Sequence, residues 1–217
     1  MTDLRSATVS AGTASRKGAL APGLPDPVHD SQRIFRCALT ALSEPGRLLA
    51  IPVSLETTCR QLDAGVGPAA LGLMLALADG DTPIWLDRKA SAVSTFLGFH
   101  TGAPLADTPG SARFALIADP AAGPGLPSFD PGSLDYPDRS ATLILEASRL
   151  ASGGQFGFSG PGIPTRRYLT IEGLPKGFAA EWAVNHAQFP CGVDVLIACG
   201  NQIVGLPRST ALEVSCM

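Results

Sequence analysis

Apolar positions along this chain follow two rhythms, helical in the first half and extended in the second. Asp26-Pro27 is a helix start, with Asp capping free N–H groups and Pro suited to the first turn. Phe35, Ala38, Leu39 and Leu42 then form an i, i+3, i+4, i+7 stripe, and Pro45-Gly46 stops the helix. Arg47–Pro52 reads as a short strand. Pro68–Asp79 is almost continuously apolar, which predicts a helix buried on most sides against a sheet or another subunit. Pro83–Leu86 reads as a strand, Arg88–His100 as a helix and Arg113–Ala118 as a strand. Pro120, Pro124, Pro127, Pro131 and Pro137 mark the following stretch as a loop region with room for one helical turn.

Beyond residue 140 the rhythm shortens. Thr142–Ser148 and Gln155–Ser159 read as strands joined in a hairpin across Gly153-Gly154, and Arg167–Ile171 as a further strand. Phe178–Ala187 is a short helix. Val193–Ala198 is an apolar run broken only by Asp194, as in a strand buried on both faces. Gly200-Asn201 suits a tight turn, Gln202–Leu206 returns as a strand, and Ala211–Val214 is the last strand. The pattern gives one α/β domain with a mixed sheet over residues 26–217. The first 25 residues, rich in Ser, Ala, Gly and Thr with no aromatic residue, read as a flexible N-terminal tail.

Composition narrows the classes. A chain of 217 residues buries about 70% of its unfolded surface, enough for a core without staples. Charged residues are only 16% and hydrophobic ones 45%, with mean hydropathy +0.21. This agrees with a surface partly covered by a partner, although an Ala-rich composition gives the same numbers. Together with the apolar stretch Pro68–Ala78 it leads to the expectation of a homodimer when the chain is isolated. A net charge of −3 lacks the basic footprint of a nucleic-acid binder. Every apolar stretch of 18 residues contains breakers, so no membrane span is expected, and Ala19-Leu20-Ala21 is too short for a signal sequence. The expected location is cytoplasmic. Five cysteines without a CxxC pair read as reduced thiols acting as small hydrophobes.

Candidate chemistry is sparse. His29, His100 and His186 have no metal-ligand spacing, and no metal is expected. His100, near a helix end, suits the C-terminal dipole or a binding role. Asp79 and Asp81 form a carboxylate pair in a loop, able to share a proton or hold a cation, or simply to close a turn. Gly65-Val66-Gly67 opens a helix and offers amides to an anion, without the rest of a phosphate-loop pattern. Lys17, Lys89 and Lys176 sit on no obvious buried strand end, so no Schiff-base cofactor is expected. No nucleophile comes with a His and acid partner. Arg208, followed by Ser209 and Thr210, is the strongest candidate: a guanidinium fork and two hydroxyls beside a strand end suit an oxyanion, an interface contact or a local ion pair.

Several segments in order, DPVHDSQRIFRCALTALSEPGR (26–47), LALADGDTPIWL (75–86), FHTGAPL (99–105), ATLILEASRLASGG (141–154), FSGPGI (158–163) and the stretch from Phe189 to Val214, resemble the H-subunit family (PhnH) of the bacterial carbon–phosphorus lyase core complex. The resemblance implies an open, three-layer-like sandwich related to the pyridoxal-phosphate transferase fold but without that cofactor. It implies partnership with the G, I and J subunits, in a core that transfers an alkylphosphonate to the ribose of ATP with displacement of adenine. It supplies no catalytic residue, so the chain is expected to act as an assembly subunit and to be inactive alone. The alternative is an independent homodimeric phosphate- or nucleotide-binding protein or enzyme, with His100, Arg208 and the Asp79/Asp81 loop converging at the dimer seam.

Overall fold

A computed structural model describes residues 21–215, so most of the expected tail lies outside the described residues. Of its last residues, Ala21 and Leu24 pack against the body, and the Pro22 carbonyl accepts from the Thr58 hydroxyl at 3.0 Å. The elements are α1 (Pro27–Ser43), β1 (Leu49–Ala50), α2 (Glu56–Leu62), α3 (Pro68–Leu77), β2 (Ile84–Leu86), α4 (Ser94–Thr101), β3 (Phe114–Ile117), β4 (Thr142–Glu146), β5 (Arg149–Ser159), β6 (Arg167–Glu172), α5 (Phe178–Ala187), β7 (Asp194–Cys199), β8 (Gln202–Leu206) and β9 (Ala211–Val214).

A six-stranded sheet of order β1-β8-β7-β4-β3-β2 divides the molecule. β2, β3, β4 and β7 run parallel, β8 pairs antiparallel to β7 and β1 antiparallel to β8, so the sheet is mixed as expected. Because side chains alternate across a strand, the central strands feed two cores. Ile144 and Leu196 face α1–α4 with Ile34, Leu71, Met74 and Phe96. Leu143, Leu145, Val195 and Ile197, with Leu206 of β8 beside them, face the other way, towards Phe158 and Trp182. That second face is covered by a small antiparallel sheet, β6-β5-β9, and by α5. The result is three layers: helices, the mixed sheet, then the small sheet with α5.

Three local expectations are corrected. The stripe on α1 is rotated: Ile34, Ala38 and Ala41 are buried, whereas Phe35 and Leu39 are exposed. The reason lies across the contact. A Cβ built on Gly205 of β8 would come 2.3 Å from the Ala41 carbonyl oxygen, so the backbones of α1 and β8 nearly touch and only small side chains fit between. Phe35 and Leu39 are thereby turned to solvent.

Gly153-Gly154 is not a hairpin turn. It lies inside β5, where the pairing with β6 shifts register between Ser152 and Phe156. Both glycines have positive φ, and a Cβ on Gly154 would clash with Thr170, so the pair makes a bulge. The change of sheet occurs earlier, at Ala147-Ser148 between β4 and β5. The long helix expected at Arg88–His100 begins instead as a 3-10 turn over Ala90–Val93 before α4. α2 was not anticipated. α3 is buried as expected over Ala69–Met74, but by this chain's own sheet and helices, and its last turn, Leu75–Leu77, is half-buried.

Candidate functional site

The hairpin β7–β8 decides the surroundings of Arg208. Val195 pairs with Leu206, so the residues leaving β8 land beside Asp194 at the start of β7. The Arg208 backbone N–H donates to Asp194 Oδ1 at 2.8 Å, its Nε to the same oxygen at 3.1 Å, and Nη2 to Oδ2 at 2.6 Å. Nη1 donates to the Pro137 carbonyl at 2.7 Å and the Pro190 carbonyl at 3.3 Å, and Nη2 also to the Ser140 hydroxyl. The five donors of the guanidinium therefore all have acceptors within the chain. The pair is mostly buried, and the site is a clamp joining β7, the exit of β8 and the turn at Pro137–Arg139.

The neighbours extend the clamp. His186 Nδ1 donates to the Arg208 carbonyl at 2.7 Å, and Trp182 Nε1 to the Thr210 carbonyl at 2.8 Å. The Thr210 N–H closes a turn onto the Pro207 carbonyl at 2.8 Å. The Thr210 hydroxyl is buried with no hydrogen-bond partner among the described residues, and Ser209 is half-buried.

Asp79 and Asp81 lie in an exposed turn. The Asp79 carboxylate accepts from the Asp81 N–H and the Thr82 hydroxyl, both at 3.0 Å, and the Thr82 hydroxyl accepts from the Asp79 N–H at 2.7 Å. His100 closes α4, packed on Phe96 with ring centroids 4.4 Å apart. Its Nε2 donates to the Ala21 carbonyl at 3.1 Å, and Gly23 lies so close that a Cβ there would meet the ring at 2.8 Å. His100 thus docks the segment preceding α1. Within one chain these residues stay apart: Asp81 lines a concavity with Arg113 and Arg139, His100 lines another with Leu24 and Ser31, and Arg208 lines neither.

Glu146 was missed by pattern reading. It ends β4, the second of the two strands at the middle of the sheet, where the N-terminus of α3 arrives. α3 has glycine at its N-cap and no cap of its own, and the Gly67 N–H donates instead to Glu146 Oε2 at 3.0 Å. The anion at this helix terminus is therefore the protein's own carboxylate. Burial pushes the Glu146 carboxyl up to about 7, against the opposing pull of N–H groups at Gly67 and Gly200 and the charge of Lys89. Burial and the nearby Glu146 likewise raise the thiols of Cys59, to about 11, and Cys199. Only the glycine before Pro68 hinted that α3 needed a cap from elsewhere.

Among the described residues no group of three His, Cys, Asp or Glu side chains is placed to hold a metal ion, and no helix is long and apolar enough to cross a membrane. Comparison with known proteins adds the family. The sequence model of "Bacterial phosphonate metabolism protein (PhnH)" matches residues 22–213. The chain is 37% identical over 190 residues to the alpha-D-ribose 1-methylphosphonate 5-triphosphate synthase subunit PhnH of Rhizobium meliloti (strain 1021), covering 87% of this chain and 92% of that protein. It is 27% identical over 186 residues to a putative C-P lyase subunit protein, HtxG, of Stutzerimonas stutzeri, covering 84% of this chain and 86% of that one.

Proposed function

Since the chain belongs to the bacterial phosphonate metabolism protein (PhnH) family, we propose that it works as an assembly subunit, joining G, I and J partners in a core that transfers an alkylphosphonate to the ribose of ATP and displaces adenine. Membership in a C-P lyase system follows from its relatives; the non-catalytic role, the named partners and a cytoplasmic location belong to this proposal. The observation that carries the role is the outward face of α1. Val28, Phe35 and Leu39 are 62%, 46% and 51% exposed and recur at helical spacing. An amphipathic helix with apolar residues on its solvent side, as well as on its core side, is suited to burial against another protein. The residues of Arg208's clamp, by contrast, are bonded to one another.

Kinship to the pyridoxal-phosphate transferase fold is part of the same reading, supported by the three layers and the mixed sheet. The cofactor does not fit it: Lys89 and Lys176, the described lysines, are both exposed, whereas a Schiff-base lysine works in a shielded pocket. Homodimerisation of the isolated chain belongs to the same proposal and uses the α1 face, since α3 is covered by its own chain over Ala69–Met74.

Co-expression with G, I and J partners, followed by size-exclusion chromatography and an adenine-release assay, tests the proposal. The double variant Phe35→Glu, Leu39→Glu is expected to fold normally and to drop out of the complex. Co-elution of that variant at the normal stoichiometry would remove α1 as the contact. Failure of the unaltered chain to join the complex would overturn the assembly role.

A further inference from the structure

In open α/β sheets ligands bind outside the carboxyl ends of the strands. At that edge, beyond β2 and β3, the protein has a cleft of about 560 Å³, its lining including Trp85, Asp87, Arg88, Lys89, Asp119 and Gly123. The volume falls within the few hundred to about 1,000 Å³ usual for small-molecule sites.

The cleft is built, not left over. Asp87, buried, forms its floor: Oδ1 accepts from the Ala90 N–H at 2.6 Å and Oδ2 from the Asp119 N–H at 2.8 Å, so one carboxylate ties together the loops that follow β2 and β3. Gly123 lets the loop after β3 fold back closely, since a Cβ there would come 2.9 Å from Ile117 Cγ2. Trp85 is half-buried and held edge-on to Phe129, with centroids 5.9 Å apart, which fixes the indole without removing it from the cleft.

The polar groups around it are left open to a ligand, as are a few other exposed charges of the chain such as Arg36 and Arg60, but here they meet in one cleft. Six arginines, Arg33, Arg47, Arg149, Arg166, Arg167 and Arg208, pair with carboxylates. Arg88 is exposed and its guanidinium has no hydrogen bond or ion pair among the described residues. The adjacent Lys89 ammonium reaches only the Ala118 carbonyl, at 3.4 Å. Across the cleft the Asp119 carboxylate is likewise without a partner among the described residues, too far from either cation to form an ion pair.

An indole, two neighbouring cations without an ion-pair partner among the described residues and an unpaired carboxylate in one cleft match a particular ligand chemistry. A planar base packs on the indole. A phosphoryl group takes charge-assisted bonds from the guanidinium and the ammonium. A sugar hydroxyl donates to the carboxylate. We infer that this cleft binds a nucleoside phosphate. The inference goes beyond the assembly role and stands on the cleft alone, so it is tested on the isolated full-length chain and can fail while assembly succeeds.

The chain's two tryptophans make the measurement specific. Trp182 is fully buried and does not line the cleft, so a ligand-induced change in emission reports Trp85. ATP is expected to change the emission saturably, and calorimetry to give the same dissociation constant. Adenosine and inorganic triphosphate, each carrying half the recognition, should bind at least about tenfold more weakly. The double variant Arg88→Ala, Lys89→Ala, with its circular dichroism unchanged, should also lose about tenfold in ATP affinity. Trp85→Phe should bind ATP by calorimetry with the emission change abolished. No saturable ATP binding, ATP binding unaltered in the double variant, or inorganic triphosphate binding as tightly as ATP would each overturn the inference.

Discussion

Arg208 and Asp194 lock the start of β7 to the exit of β8 through three bonds, one from the backbone and two from the guanidinium. The lock forms because the two-residue turn at Gly200-Asn201 brings the hairpin ends into register. Removing the arginine strands a mostly buried carboxylate. Arg208→Ala should therefore destabilise the isolated domain by about 3 kcal/mol, within the range for breaking a buried pair from one side. For a domain of this size that corresponds to a fall in melting temperature of roughly 6–12 °C. Arg208→Lys should recover little of it, because a single ammonium cannot serve five acceptors. Thermal unfolding of the three proteins decides the matter; an alanine variant as stable as the parent would return Arg208 to the list of binding residues.

Thr210 gives the complementary case. Its hydroxyl is buried without a partner among the described residues, while its backbone is held by Trp182 and Pro207. Thr210→Val keeps the shape and removes the unpaired group, so stability should stay level or rise by about 1 kcal/mol. Urea denaturation reads this directly. A clear loss of stability would mean that the hydroxyl has a bond not visible in the chain alone.

Glu146 makes stability pH-dependent in a definite direction. Below its ordinary value of 4.5 the carboxyl is protonated in both folded and unfolded chains. Between there and about 7 the unfolded chain gives up the proton while the folded chain keeps it, so this group lowers stability steadily as pH rises; above about 7 the penalty is constant. Glu146→Gln retains an acceptor for the Gly67 N–H and removes the titration. The variant should gain stability relative to the parent as pH increases from 4.5 to 7, seen as a growing difference in urea midpoints. A difference independent of pH would show that Glu146 does not titrate in that window.

Gly205 tests the packing of α1 on the sheet. Alanine there would drive a methyl group into the Ala41 carbonyl, with backbone rather than a flexible side chain in the way. Gly205→Ala should cost about 3 kcal/mol, the upper end for overpacking. The chemical denaturation midpoint is the readout. An unchanged midpoint would mean that α1 slides on β8 at little expense, and the account of why Phe35 and Leu39 face outward would fall with it.

The sequence by itself determined the local elements wherever chemistry and period agreed. Asp26-Pro27 capped α1 as expected, with the Asp26 carboxylate accepting from the His29 N–H. The apolar run of β7 was buried on both faces, the Gly200-Asn201 turn closed its hairpin, and α5 fell at Phe178–Ala187. The ordered motifs also pointed to the family, because they are spread over most of the chain. Tertiary structure decided what depends on contacts distant in sequence. Which face of α1 is buried was set by Gly205, more than 160 residues away, because a near-contact of backbones admits only small side chains. Whether Gly153-Gly154 turns the chain or bulges it depended on β6 pairing along both halves of β5. The fork of Arg208 was filled by carbonyls at Pro137 and Pro190 that no local pattern places beside it. Nothing local distinguishes Glu146 from any other strand-end carboxylate; only the fold brings it to the uncapped start of α3. Hydrophobic period and turn chemistry are local, so a sequence shows them; the partner of a buried polar group is a matter of where the chain returns, and only the folded molecule fixes that.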